Sequence, residues 1–211
     1  MKRLLMSCCS LAMVCCIFLT SCKSKTINAL WMTYSLEDLA EVAELVFTGT
    51  VEDVYYDVRT VGAADMSIEE PYAYYTIDVV EIFKGEDKVN DGRVNIKVPG
   101  NDPSENGHAA VVLNDTPVPL DIGHEYLFVL SAYDDVEGYD ENDPNDYPSI
   151  LNPYQSIFDM ETDRPVGRIK ATGNGSWEED SHINPYDDTA NMSGAEVIEQ
   201  VKAVVNAGEW G

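Results

Sequence analysis

Few atoms of this chain have types and spacing that could do chemistry: five cysteine sulfurs, three histidine rings and 38 carboxylates. The rings belong to His108, His124 and His182. None lies in a His-Glu-x-x-His helix or beside a nucleophile motif, and no Gly-x-Ser-x-Gly, phosphate-cradling glycine loop or Cys/His zinc spacing occurs. Structural or surface roles are expected for all three. Paired carboxylates can act as general acid and base, but with 38 of them chance pairs are everywhere. The densest acidic stretch, Asp134 to Asp146, holds seven carboxylates in thirteen residues. Calcium takes about six to eight oxygens, so Asp140, Asp143 and Asp146 are candidate ligands. They lack the Asp-x-Asp-x-Asp-Gly spacing of a helix-loop-helix calcium site, and a solvated hairpin loop is the favoured reading. A second acidic stretch, Glu178 to Asp188, also lacks ligand spacing.

Cys8, Cys9, Cys15, Cys16 and Cys22 all fall at the amino end, and Cys22 alone follows Leu19-Thr20-Ser21. Lys2 and Arg3 precede an apolar run, Leu4 to Leu19, that is shorter than the roughly 20 residues a helix needs to cross a bilayer. The stretch resembles a bacterial lipoprotein signal peptide. The resemblance implies cleavage of residues 1–21, lipid (diacylglyceryl, palmitate) on Cys22 and a membrane-anchored protein facing outside the cytoplasm. Cleavage would leave no second cysteine, so the core alone must hold the fold. The 38 acids against 13 bases, net −25, repel phosphates, and no nucleic-acid partner is expected.

The elements that would carry these groups are legible from period. Residues 22–34 form a tether. Ser35, with Asp38 three residues on, opens a short helix from Leu36 to Ala43. Beyond Leu45 the period drops to two and β-branched and aromatic residues crowd in, predicting strands at Leu45–Val61, Tyr72–Phe83, Arg93–Val98, Glu125–Tyr133 and Tyr147–Met160, the last interrupted by Pro153. The apolar run Tyr126–Leu130 suits a strand buried on both sides. Ser193 and Glu196 cap a second helix over 194–206, whose stripe of Val197, Ile198, Val201, Val204 and Val205 should pack on the strands. The expected fold is mainly β: a five-stranded antiparallel OB-type Greek-key barrel with a short N-terminal helix and a C-terminal helix, and a sandwich as the competitor.

Leu36-Glu37-Asp38-Leu39 through Phe47-Thr48-Gly49-Thr50-Val51, then Tyr75-Thr76-Ile77 through Phe83-Lys84-Gly85, then Gly123-His124-Glu125-Tyr126, resemble bacterial TIMP-like (netrin-like) OB-fold proteins over roughly residues 35–161. The resemblance implies an OB domain at 35–165, followed by a C-terminal extension at 166–211. Inhibition of metalloproteinases is not carried over. In the eukaryotic relatives, the tissue inhibitors of metalloproteinases, a free N-terminal cysteine chelates the target zinc, whereas Cys22 would be acylated here.

Tyr55, Tyr56, Tyr72, Tyr74, Tyr75, Tyr133, Tyr139, Tyr147 and Tyr154 cluster around the strands. Such rings can stack on sugars or grip peptides, or simply form strands at a half-wet surface. The expectation is a binding module for an unknown protein or peptide, without enzyme activity and without a cofactor, calcium being the possible exception. A calcium-dependent surface adhesion module and a carboxylate-based hydrolase are the alternatives.

Overall fold

Ser35 opens the body as its pattern predicts. In a computed structural model of the chain, its Oγ accepts the Asp38 N–H at 3.1 Å and donates to Asp38 Oδ2 at 2.7 Å, starting helix α1 (Leu36–Val42). The structure describes residues 25–28, 34–61, 68–105, 111–114, 119–132, 140, 143–144, 146–152, 155–166, 169–171, 177–179 and 193–208. Leu39 and Ala40 are buried, and Lys84 Nζ donates to the carbonyls of Ala40 (3.1 Å) and Glu41 (2.9 Å) at the helix end, where backbone acceptors lack helical partners.

The first two strands of the sequence frame are the longest. Strand β1 (Lys25–Asn28) lies upstream of them, in the segment expected to be a bare tether, and pairs in parallel with β5 (Val111–Asn114). Four-residue strands joined across such a separation carry no local signature, which is why the tether expectation missed this ladder. Strand β2 (Leu45–Val61) has the expected bounds and pairs antiparallel with β3 (Ile68–Lys84). Strand β3 starts before Tyr72 and passes through Pro71. The Pro71 carbonyl accepts the Gly100 N–H at 3.1 Å, so its missing N–H lies on the side where β4 (Arg93–Pro99) has already ended. Gly49 stands at a register shift in β2. A Cβ there would sit 2.5 Å from Ile77 Cγ2 and 2.9 Å from the Asp78 carbonyl oxygen, so only glycine lets β2 and β3 approach.

Strand β6 (Glu125–Ser131) pairs with the first part of β2, Leu45–Thr50. The expected fifth strand is two pieces, β7 (Ser149–Ile150) and β8 (Ile157–Asp159), both on β6. Ser156 Oγ accepts the N–H groups of Leu151 and Asn152, both at 3.0 Å, and tightens the turn between them; Pro153, the expected interruption, lies outside the described residues. Strand β9 (Arg164–Pro165) adds to β8, and β10 (Ile169–Ala171) pairs with β11 (Trp177–Glu179) as a separate two-stranded sheet.

The protein is thus mainly β with two helices, but the main sheet is mixed where pure antiparallel pairing was expected. It runs β2-β3-β4-β7-β6-β8-β9, and β2 also pairs with β6. The pair that breaks the rule is β4 with β7, which run parallel with Lys97 opposite Ser149. Parity requires it. Each antiparallel step reverses direction, so a circuit through β2, β3, β4, β7 and β6, with its odd number of strands, must contain a parallel pair.

Strand β6 is buried on both faces, as its apolar run predicts. Tyr126, Phe128 and Leu130 join Leu45, Phe47, Tyr75, Ile77, Ile96 and Ile157 in one cluster. Leu127 and Val129 face the opposite way, into a second cluster with Leu39, Val46, Phe158, Val197 and Val201. The last two belong to α2 (Gly194–Gly208), capped reciprocally by Ser193 and Glu196. The C-terminal helix therefore closes the second core, two residues longer than its pattern predicts. Tyr34 is fixed there too. Gln155, with 0% exposure, accepts the Tyr34 N–H at 3.0 Å and donates to the Tyr34 carbonyl at 2.8 Å.

Candidate functional site

Strand alternation after the register shift at Val51/Asp53 decides which tyrosines meet. Val54 and Tyr56 turn toward the first core, so Tyr55, Asp57 and Arg59 project from the opposite side. Cross-strand register then aligns Tyr55 with Tyr74, Tyr74 with Lys97, and Asp57 with Tyr72. The rings of Tyr55 and Tyr74 stack at 4.8 Å and 11°. Tyr72 leans on Tyr74 at 6.2 Å, and Tyr147, from the loop before β7, meets it edge-on at 6.3 Å and 77°. The Arg59 guanidinium lies 5.7 Å from the Tyr74 ring centre, a favourable placement for a cation over a π face.

This packing leaves Tyr74 only 1% exposed, while Tyr55 keeps 47% of its surface in water. Burial pushes the Tyr74 hydroxyl above the ordinary phenol range, with Arg59 pulling the other way. Its Oη is buried without an aligned hydrogen bond among the described residues. Arg59 Nε sits 2.9 Å from Asp57 Oδ2, an ion pair that also lacks hydrogen-bond alignment. Lys97, half-buried beside the rings, is held below the usual lysine range by desolvation, which the nearby Asp146 and Asp143 carboxylates partly offset. The acidic loop therefore borders the tyrosine face electrostatically as well as through Tyr147.

The other tyrosines do different work. Tyr75 Oη accepts the Leu120 N–H at 3.2 Å and Tyr126 Oη the Asp121 N–H at 3.1 Å, tying the approach to β6 onto the first core. Tyr133, Tyr139 and Tyr154 lie outside the described residues, as do Cys22, His108 and His182.

Asp140, Asp143 and Asp146 are in the described part of their loop, where they serve its folding. Asp146 Oδ2 accepts the Asp140 N–H at 2.9 Å, and successive turns join Asp143 N–H to the Asp140 carbonyl and Asp146 N–H to the Asp143 carbonyl, each at 2.8 Å. Among the described residues no three His, Cys, Asp or Glu side chains come together as a metal site.

His124 forms a pair that sequence spacing did not reveal. Its Nε2 lies 3.0 Å from Asp159 Oδ1, across 35 residues of chain. The hydrogen bond to Asp159 raises the imidazole pKa against the opposing effect of burial. Burial works against the Asp159 carboxylate, but the His124 hydrogen bond and the N–H groups of Thr162 and Glu161 outweigh it and hold the group below its usual range. No hydroxyl or thiol among the described residues hydrogen-bonds this pair, which clasps the β6 entry to the turn after β8. An open depression of about 640 Å³ lies at the end of β3, lined by Val79, Ile82, Phe83, Val89 and Val205, with the Lys84 ammonium committed to the α1 carbonyls.

The tyrosine face thus offers aromatic stacking, two cations and a bordering carboxylate loop, the chemistry of recognition. Sequence reasoning named its tyrosines but missed Arg59 and Lys97; the alternation Tyr55, Asp57, Arg59 was the signal that could have found the first. No helix among the described residues is long and apolar enough to cross a membrane. Neither models of known protein families nor curated protein sequences match the chain.

Proposed function

We propose that the chain is a bacterial lipoprotein, anchored through acylated Cys22 and facing outside the cytoplasm, whose OB-type, netrin-like barrel is a binding module for a protein or peptide. Support for the barrel comes from the circuit of strand pairings β2-β3-β4-β7-β6 that returns to β2 around one apolar cluster. In it β6, β2, β3 and β4 adopt the order fourth-first-second-third of a Greek key. The anchor rests on Leu19-Thr20-Ser21-Cys22.

The observation that carries the binding function is the convergence of Tyr55, Tyr72, Tyr74 and Tyr147 from three separate segments onto one outer face with Arg59. Aromatic residues and arginine dominate the energetics of protein recognition. Peptide and glycan arrays probed with the purified full chain test it. Tyr55→Ala, which removes an exposed ring and leaves both cores intact, should abolish binding to the peptides that the unaltered chain retains, with thermal unfolding unchanged. Undiminished peptide binding, or binding to glycans alone, refutes the proposal. For the anchor, Cys22→Ser should eliminate incorporation of labelled palmitate and release the protein from the membrane fraction; continued labelling refutes it.

A further inference from the structure

Strand β2 is 17 residues long, yet β6 pairs only with Leu45–Thr50. Val51 still exchanges backbone hydrogen bonds with His124 and Gly123 (3.1 and 2.8 Å). Past the register shift at Val51/Asp53, β3 is the only strand paired with β2 among the described residues. Among the described residues Asp53–Val61 is therefore an open sheet edge.

The direction of its backbone groups follows from two side chains. Asp53 Oδ1 accepts the Val54 N–H and Asp57 Oδ1 the Val58 N–H, both at 2.9 Å. Val54 and Val58 thus turn their N–H groups away from β3, and by antiparallel alternation Tyr56 and Thr60 do the same. Open edges are usually blunted by charged side chains, above all lysine, by proline or by a short strand; Asp53–Val61 contains no lysine and no proline, and its charged residues are Asp53, Asp57 and Arg59. Both sides of the strand present exposed apolar surface at this edge, Tyr55 at 47% and Val58 at 48% exposure. Carboxylates dominate its surroundings, with Asp53 and Asp57 on β2 and Glu69 and Glu70 opposite Thr60 and Arg59 on β3.

We infer that the Asp53–Val61 edge takes up an extended, basic peptide segment as an added strand, a mode that rests on the binding function proposed above and specifies its partner. Strand addition takes affinity from main-chain hydrogen bonds and specificity from alternate side chains. The incoming strand displaces the Asp53 and Asp57 carboxylates from the Val54 and Val58 N–H groups, and these carboxylates then face its lysine or arginine side chains. Tyr55 and the aromatic cluster behind it lie on the same face as these carboxylates, and the peptide's other face meets the exposed Val58. The net charge of −25 on the chain adds long-range attraction for a cationic partner.

The test uses the full chain and three synthetic probes: the octapeptide (Lys-Val)4, its counterpart (Glu-Val)4, and (Lys-Val)4 with alternate backbone nitrogens methylated. Fluorescence anisotropy should give saturable binding of the first only, with the others weaker by at least about tenfold, and hydrogen exchange of residues 53–61 should slow in the first complex. Val58→Pro, which removes an edge-facing N–H, should weaken (Lys-Val)4 binding by a similar factor. Equal binding of the methylated peptide overturns strand addition, because charge alone would then suffice; it does so whether or not Val58→Pro folds. Absence of (Lys-Val)4 binding, or self-association of the chain through this edge in ultracentrifugation, also overturns it. Neither result bears on the tyrosine face, whose reading falls if Tyr55→Ala leaves peptide-array binding intact or if the arrays show binding to glycans alone.

Discussion

Replacing Gln155 tests how firmly the start of the body is held. Gln155 is fully buried and closes two hydrogen bonds on one residue, taking the Tyr34 N–H at 3.0 Å and giving Nε2–H to the Tyr34 carbonyl at 2.8 Å. Gln155→Leu keeps nearly the same volume and strands both backbone groups. A buried orphan costs about 1–3 kcal/mol. Tyr34 is only half-buried, so water recovers part of the loss, and about 1 kcal/mol per group, about 2 kcal/mol in all, is the expected cost. For a chain of this size each kcal/mol moves Tm by about 2–4 °C, so circular dichroism should register a fall of about 4–8 °C. Gln155→Glu separates hydrogen bonding from packing. At neutral pH it points a carboxylate oxygen at the Tyr34 carbonyl and should cost more than the leucine; because burial raises a carboxyl pKa, lowering the pH should restore a donor and recover stability. A Tm change below about 1 °C in Gln155→Leu, or a glutamate variant indifferent to pH, would refute the reasoning.

The His124–Asp159 clasp predicts a pH window. The raised His124 pKa means that its contribution is complete below the unfolded value near 6.5 and fades as pH rises through the folded value. The lowered Asp159 pKa means that its contribution exists above the unfolded value of 3.8 and fades as pH falls through the folded one. His124→Phe, which keeps the ring contact with Tyr126, should therefore cost about 1 kcal/mol in urea unfolding at pH 5.5 and clearly less at pH 8.5, given partial solvent screening; an equal cost at both refutes the clasp. Gly85 has φ +81°, and a Cβ there would be driven into the Glu44 carbonyl oxygen. Gly85→Ala should thus lose about 2–4 kcal/mol of unfolding free energy, whereas Gly92→Ala, also at positive φ (+75°) but in open space, should lose only about 1–2 kcal/mol; equal losses would show that the close approach contributes nothing.

Where the chemistry is local, the sequence was readable. Ser35 and Ser193 cap the helices their spacing announces, and the change to period two at Leu45 marks the true start of β2. The uninterrupted apolar run in β6 correctly implied cores on both sides. Features set by distant pairing were hidden. Lys25–Asn28 and Val111–Asn114 are too short to alternate visibly, and only their mutual ladder makes them strands. The parallel β4–β7 contact follows from closing an odd circuit, which no single segment encodes. At the candidate site, composition supplied the tyrosines, but the shift at Val51/Asp53 decides that Tyr55 meets Tyr74 while Tyr56 turns inward. His124 and Asp159 are joined by the same kind of register, Tyr126 opposite Asp159, and neither had a reason to be noticed alone.

The double burial of β6 also sets a hazard for biogenesis. Tyr126-Leu127-Phe128-Val129-Leu130 is an uncharged, strongly β-forming pentapeptide, the composition that stacks into intermolecular cross-β aggregates when left uncovered. Its outer residues Leu127 and Val129 are roofed by Val197 and Val201 of the last helix. A nascent chain therefore displays this sticky ribbon until more than sixty further residues have been made, several seconds at about 5–20 residues per second. Truncations before Gly194 should accumulate as insoluble inclusions, and a holdase that shields the ribbon during synthesis should rescue the yield of the intact protein.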